Sequence, residues 1–162
     1  MARTREDQPL LPSVLDRLID QDPGNQREAA RPRSQVVREL RQSVRRDLQN
    51  LLNTRYRSGP LPEDLEELDL SLVAYGIPDF TGVAMSGPSD RQELCKVIER
   101  TIRKFETRFK SVKVTLVENK EDFDRTLRFR IDAMMYAEPA PEAVVFDSQL
   151  EPTLAEFHIE SQ

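Results

Sequence analysis

The hydrophobic period of this chain changes once, between Phe105 and Phe109, and that change constrains the fold more than any other feature. Upstream, apolar residues recur at the three- and four-residue spacing of a helix face: Val37, Leu40, Val44, Leu48 and Leu51, then Leu94, Val97, Ile98, Ile102 and Phe105. Downstream they alternate with polar residues, as in half-buried strands: Val112, Val114 and Leu116; Leu127, Phe129, Ile131 and Ala133; Val144 and Phe146; Phe157 and Ile159. Helices first and strands afterwards specify an α+β class, with N-terminal helices packed on one face of a C-terminal antiparallel β-sheet.

Punctuation residues divide the helical half. Ser34 to about Asn53 reads as one long helix, with Arg38, Arg41 and Arg45 off its apolar stripe, and Ser58-Gly59-Pro60 ends that region. A short acidic helix fits Pro62 to Leu68, followed by a helical turn from Leu70 to Tyr75 that Gly76 caps and Pro78 terminates. Ser89 and Gln92 form a Ser-x-x-Gln capping box for the next helix, which should stop near Phe105. The loop from Asn119 to Asp124 suits an antiparallel hairpin. Residues 1–33 hold little that could form a core. They read as an arm with one amphipathic helix, Ser13 to Ile19, capped by Ser13 with Asp16 at the capping-box position, on a flexible linker. Residues 34–162 read as the α+β domain.

Composition bounds the function. The 162 residues carry one cysteine and a net charge of −5, so no intrachain disulfide can form, and nucleic acid is a poor main partner. No apolar run reaches the ~18 residues of a membrane span, and Met1 to Gln8 lacks a signal-peptide core, so a soluble cytoplasmic protein is expected. Charge is segregated: eight Lys/Arg against two acids from Arg31 to Arg57, six acids and no base from Leu61 to Phe80, and seven acids and no Lys or Arg from Asp132 onward. Such blocks can neutralise one another or face neighbouring subunits.

The residues available for chemistry are few. His158, the single histidine, points away from Phe157 and Ile159 by strand parity, towards solvent, and has no partner for a zinc site or a nucleophile triad. Cys95 falls on the buried helix stripe as a small hydrophobe. There is no Gly-rich phosphate loop, and no tryptophan for a sugar platform. Catalytic, metal and cofactor residues are therefore expected to be none, with a lysozyme-like peptidoglycan hydrolase as a weaker alternative resting on carboxylates alone.

Two stretches carry more than scaffold. In Tyr75-Gly76-Ile77-Pro78-Asp79-Phe80, Gly and Pro set a sharp helix exit, with Tyr75 and Phe80 available to pin it. In Phe105-Glu106-Thr107-Arg108-Phe109, an acid and a base two apart sit between aromatics at the helix-to-strand junction. That pair is either an internal salt bridge or a polar interface fixture held by the rings. The C-terminal strands are a third candidate. If one lies at a sheet edge it can accept a partner strand, and Asp147, Glu151, Glu156 and Glu160 would favour an arm bearing Lys or Arg.

These pieces, in order, resemble one family: the wedge proteins of T-even phage baseplates, historically labelled lysozyme-like, with their TssE-type branch in bacterial type VI secretion. The matching segments are Leu15-Asp16-Arg17-Leu18, Ser43-Val44-Arg45-Arg46-Asp47-Leu48, Leu51-Leu52-Asn53-Thr54-Arg55, Tyr75 to Phe80, Phe105-Glu106-Thr107-Arg108 and Val145 to Pro152. The family's junction signature is Glu-Pro-Arg. Here Thr107 stands in place of the proline, which leaves that turn less constrained. The resemblance implies a non-enzymatic cytoplasmic baseplate subunit at the inner-membrane-docked baseplate, itself not inserted in the membrane. Its partners would be the wedge subunits TssF and TssG, with TssK, and the sheath subunits TssB and TssC, whose handshake-like sheet it would template. The expected interface residues are Tyr75, Asp79, Phe105, Glu106, Arg108, Val145, Asp147, Glu156 and His158. A stress-regulator branch of the family implies an anti-adaptor as the alternative. The N-terminal helix and the Leu-Asn-Thr-Arg stretch favour the secretion branch.

Overall fold

A computed structural model describes residues 14–19, 24, 32–56, 66–69, 71–79, 87–119, 126–137, 140–151 and 155–161. The element order is α1 (Val14–Leu18), α2 (Arg33–Asn53), α3 (Glu66–Asp69), a 3-10 turn (Leu72–Ala74), α4 (Pro88–Phe105) and strands β1 (Phe109–Val117), β2 (Leu127–Met135), β3 (Glu142–Glu151) and β4 (Glu156–Ser161). The strands form one antiparallel meander in the order β1-β2-β3-β4. The switch from helical to alternating spacing thus marks the actual α4-to-β1 junction.

Period-two burial holds along the sheet. Val112, Val114, Leu127, Phe129, Ile131, Ala133, Val144, Phe146, Leu150, Phe157 and Ile159 are buried, and apart from the buried Ser148 the residues between them face outward or lie at intermediate depth. The inner face meets Val44, Leu48, Leu51 and Leu52 of α2 and Leu94, Ile98 and Ile102 of α4, which forms one core. α2 packs along β4 and α4 along β1. Phe129 and Phe157 stack obliquely across the sheet at 6.2 Å between centroids. Full burial of each such side chain contributes roughly 1.5–3 kcal/mol, so these stripes account for most of the driving force.

Some start and stop signals act differently from expectation. α4 begins one residue before Ser89: Pro88 occupies the first turn, Gly87 is the N-cap, and the Asp90 carboxylate accepts from the Gly87 N–H at 3.3 Å. Proline needs no N–H partner there and arrives with helical φ, so it displaces the Ser89–Gln92 box. The turn after α3 is a 3-10 turn, with the Ser71 hydroxyl accepting from the Val73 N–H at 3.2 Å. Gly76 has φ +110°, and a Cβ there would lie 2.3 Å from the Thr54 carbonyl oxygen. That approach lets the Ile77 N–H donate to Thr54 O at 2.9 Å and the Tyr56 N–H to Ile77 O at 3.2 Å, closing a parallel bridge beside the exit of α2. Ser13, all of Pro62–Leu65, Phe80 and most of the β1–β2 loop lie outside the described residues. The ends of that loop are tied by the Asn119 side-chain amide, which donates to Thr126 O at 2.7 Å.

Candidate functional site

Among the described residues the α4-to-β1 junction is the most heavily bonded polar place. Glu106 is the C-cap of α4 and only 6% exposed. Its carboxylate takes the Arg108 guanidinium in a two-pronged pair, Nε to Oε1 at 2.7 Å and Nη2 to Oε2, and also accepts the Arg108 backbone N–H at 3.1 Å. Phe109 N–H returns to Glu106 O at 3.2 Å, and Tyr136 N–H donates to Arg108 O at 2.8 Å. The glutamate therefore closes the turn that proline would otherwise preset, while Thr107 is exposed at its tip.

The sequence reading gave no role to the residues of α2 that complete this cluster. Arg108 donates to Asp47 Oδ2 at 2.6 Å and to Ser43 Oγ at 3.1 Å. Arg46 joins Asp47 Oδ1 at 3.1 Å and Asp16 Oδ1 at 2.8 Å, and Ser43 Oγ donates to Asp16 Oδ2 at 2.6 Å. Three carboxylates and two guanidiniums alternate from α1 through α2 to the junction. Burial opposes charge on Arg108, but hydrogen bonding and attraction from Glu106, then Asp47, outweigh it and raise its pKa above the ordinary arginine value. The Arg46 guanidinium is likewise raised, chiefly by its bond to Asp16. Of the two readings of Glu106 and Arg108, the internal salt bridge is present. Arg108 still keeps part of its surface in solvent, with a side-chain exposure of 24%.

Tyr75 and Phe105 flank the cluster as an edge-to-face pair at 5.3 Å, with Lys104 Nζ 5.2 Å from the Phe105 centroid. Burial raises the Tyr75 phenol pKa, with Asp47 and Glu106 adding to it. Asp79 is exposed, and its charge opposes the lowering that burial imposes on Arg55. Tyr75, Phe105, Glu106 and Arg108 thus share one neighbourhood. Val145, Asp147, Glu156 and His158 form a separate group on the outer face of β3 and β4, where Asp147 is bonded to Arg130 at 3.2 Å and His158 stands opposite Gln149. Cys95 is buried, and burial raises its thiol pKa, which suits packing rather than nucleophilic use.

The β4 edge differs from expectation. Asn53 Nδ2 donates to Phe157 O at 2.9 Å, and Asn53 Oδ1 accepts the Phe157 N–H at 2.8 Å. Arg45 donates to Ile159 O at 3.2 Å, and Arg55 caps Ala155 O. Phe157 therefore turns its backbone away from β3, so by antiparallel alternation Glu156 and His158 spend theirs on β3. The acids of these strands project from the outer face, while the edge backbone groups named here meet α2 and its exit. Among the described residues no group of three His, Cys, Asp or Glu could hold a metal ion, and no helix is long and apolar enough to cross a membrane.

A helical pair on one face of a four-stranded meander, with a buried acid–base cluster at the helix-to-strand junction, defines a scaffold built around an ion network. The chain belongs to the family of baseplate wedge protein gp25, whose model matches residues 38–140. That segment runs from within α2 almost to the end of the β2–β3 connection and includes Ser43, Asp47, Glu106 and Arg108. Among solved structures, a chain of "The baseplate complex from the type VI secretion system" is 21% identical, with a TM-score of 0.47 over 73% of this chain and 96% of that one. No curated protein sequence matches.

Proposed function

We propose that this chain is the TssE-type wedge component of a type VI secretion baseplate, a structural subunit without catalytic activity. Membership of the gp25 wedge family carries the reading, with the Glu106–Arg108 pair standing at the position of the family's junction signature. The N-terminal Leu-Asp-Arg-Leu helix and the Leu-Asn-Thr-Arg exit of α2 support the secretion branch. In this reading the subunit works in the cytoplasm beneath the sheath. Tyr75, Asp79, Phe105 and the exposed part of Arg108 face the wedge subunits TssF and TssG, with TssK nearby. The outer face of β3 and β4, with Val145, Asp147, Glu156 and His158, faces the first TssB/TssC sheath ring.

Glu106, Asp47 and Ser43 fix the Arg108 guanidinium before any partner arrives, so little side-chain entropy is lost on docking. The decisive experiment is affinity capture of the full chain from its native cell. Recovery of the wedge subunits is expected, and recovery of only a response-regulator adaptor would replace this reading with the anti-adaptor. Charge reversal at the exposed Asp79 (Asp79→Lys) should weaken that recovery well beyond the small fall in melting temperature expected from losing its attraction to Arg55. A turbidity assay on peptidoglycan should match a mock preparation; clearing that one Asp or Glu substitution abolishes would overturn the non-catalytic role.

A further inference from the structure

α1 lies on the domain the wrong way round for an amphipathic helix. Such a helix ordinarily buries its apolar stripe and leaves its charges outside. Here Val14, Leu15 and Leu18, with the following Ile19, are exposed, while the Asp16 side chain keeps only 15% of its surface in solvent. Asp16 Oδ1 accepts from Arg46 Nη2 at 2.8 Å, and Oδ2 accepts from the Ser43 hydroxyl at 2.6 Å. A carboxylate thus anchors α1 to α2, and release of α1 exposes none of that stripe, which already stands in solvent.

The anchor fixes the polarity of Ser43. A hydroxyl has one proton to give and two lone pairs to receive with. The Ser43 proton goes to Asp16, which leaves the lone pairs for Arg108 Nη1 at 3.1 Å and Arg46 Nη2 at 3.5 Å. Ser43 is 5% exposed, so water is a poor substitute for Asp16. Serines inside helices commonly donate to the carbonyl four residues back, here that of Glu39. Without Asp16 the proton turns that way, and the lone pairs rotate off Arg108. Arg46 changes at the same time. It bonds Asp47 Oδ1 through Nε at 3.1 Å and Nη2 at 3.0 Å, while Asp47 Oδ2 holds Arg108 at 2.6 Å. With Asp16 in place, three carboxylates serve two guanidiniums. Without it, Arg46 and Arg108 compete for Asp47.

We propose that Asp16 is a positioning residue for Arg108: docking of α1 on α2 locks the junction guanidinium through Ser43 and Arg46, and release of α1 loosens it. The junction then has an arm-docked and an arm-free state. Coupling of this kind is reciprocal, so a partner that binds the locked Arg108 also tightens α1 on α2. The coupling stands on these contacts, and only its consequence for assembly rests on the wedge reading.

The test follows the Arg108 guanidinium of the full chain by NMR, as the rate at which its two Nη groups exchange by rotation about the Nε–Cζ bond. Asp16→Ala and Ser43→Ala should each raise that rate at least about fivefold, and the double variant should add little, because both act through one hydroxyl. Asp16→Asn, which keeps an acceptor for Ser43, should fall between the parent and Asp16→Ala, and it repeats the comparison with a smaller perturbation. The Arg130 guanidinium, bonded to Asp147 on the outer sheet face, should not change. Three results would each overturn the coupling: an unchanged Arg108 rate in folded Asp16→Ala; full additivity of Asp16→Ala and Ser43→Ala; or an equal rise at Arg130, which means general loosening. Capture of the wedge subunits, measured in parallel, should fall about threefold with Asp16→Ala, since a loosened side chain must be ordered on docking. Equal capture by the parent and Asp16→Ala would overturn the consequence for assembly. If the parent captures the wedge subunits while Arg108 ignores Asp16→Ala, only the coupling is wrong; if Arg108 loosens and the parent captures none, the coupling stands and the baseplate reading falls.

Discussion

Along β4, α2 and its exit meet the edge with a neutral amide and two arginines; along β1, α4 meets it with a charged pair. Asn53 gives one residue, Phe157, both an acceptor and a donor, as a neighbouring strand would. On the other side the work is divided: Glu99 accepts the Val114 N–H at 3.1 Å, Arg103 donates to Val112 O at 3.3 Å, and the two bond each other at 2.8 Å as an i, i+4 pair. Both devices saturate backbone groups that would otherwise pair with another chain. They differ in what else depends on them. α2 also holds Ser43 and Asp47 in the junction cluster and leads into the Thr54–Gly76 contact, whereas the α4 pair stands on an outer helix face with Arg103 mostly in solvent. Substitutions on the α2 side should therefore cost more than equivalent ones on the α4 side.

The largest effect is expected at the junction. Arg108→Ala leaves Glu106 buried without its main partner, and breaking such a pair costs about 3–5 kcal/mol in urea unfolding. A loss below about 1 kcal/mol would mean that the network contributes position and not stability. Gly76→Ala comes next. It places a Cβ against Thr54 O at positive φ, and about 3 kcal/mol of strain is expected, with the Ile77 and Tyr56 amides losing exchange protection together.

The direct contest is Asn53→Ala against Glu99→Ala. The first should cost about 1–2 kcal/mol and release the Phe157 amide. The second should cost less than about 1 kcal/mol and release the Val114 amide. Equal losses would show that edge closure alone sets the cost, independent of which helix supplies it.

The smallest effect tests the ground between the two sides. Ser148 is 1% exposed on the core face of β3, and its hydroxyl has no partner among the described residues. Ser148→Ala should be neutral or stabilising by up to about 1 kcal/mol, measured as a rise in melting temperature, because it removes an unpaired polar atom from an apolar setting. A clear fall would reveal a hydrogen bond at that hydroxyl.

Local sequence was sufficient wherever a residue's role depends on its near neighbours. The α4-to-β1 switch, the alternation of every strand and the stop after Tyr75 were all legible, because a helix and a strand each impose their own spacing on burial. Glu106 and Arg108 stood out for the same reason, being two apart at that switch. Ser43, Asp47 and Asp16 did not. Asp16 reaches Arg46 across 30 residues, and Asp47 and Ser43 reach Arg108 across 61 and 65, and no spacing along one helix says which polar flank faces another element. Asp16 was read as part of a helix cap, and its carboxylate spans to α2, while Val14, Leu15 and Leu18 of α1 and the following Ile19 are exposed.

The sequence by itself determined the class of this protein and the order of its elements, since both follow from periodicity and from the backbone limits of Gly and Pro. Only the tertiary structure decided how each edge of the sheet is closed. The acids from Asp132 onward fix the charge of the strands, but strand order, the parity of each pair and the line of α2 decide that Asn53 and Arg45 meet the β4 backbone and that Arg41 meets Glu142 at the start of β3. Edge chemistry depends on backbone groups that every residue carries alike, so composition cannot reveal it. It is fixed only when the helix and the sheet come together.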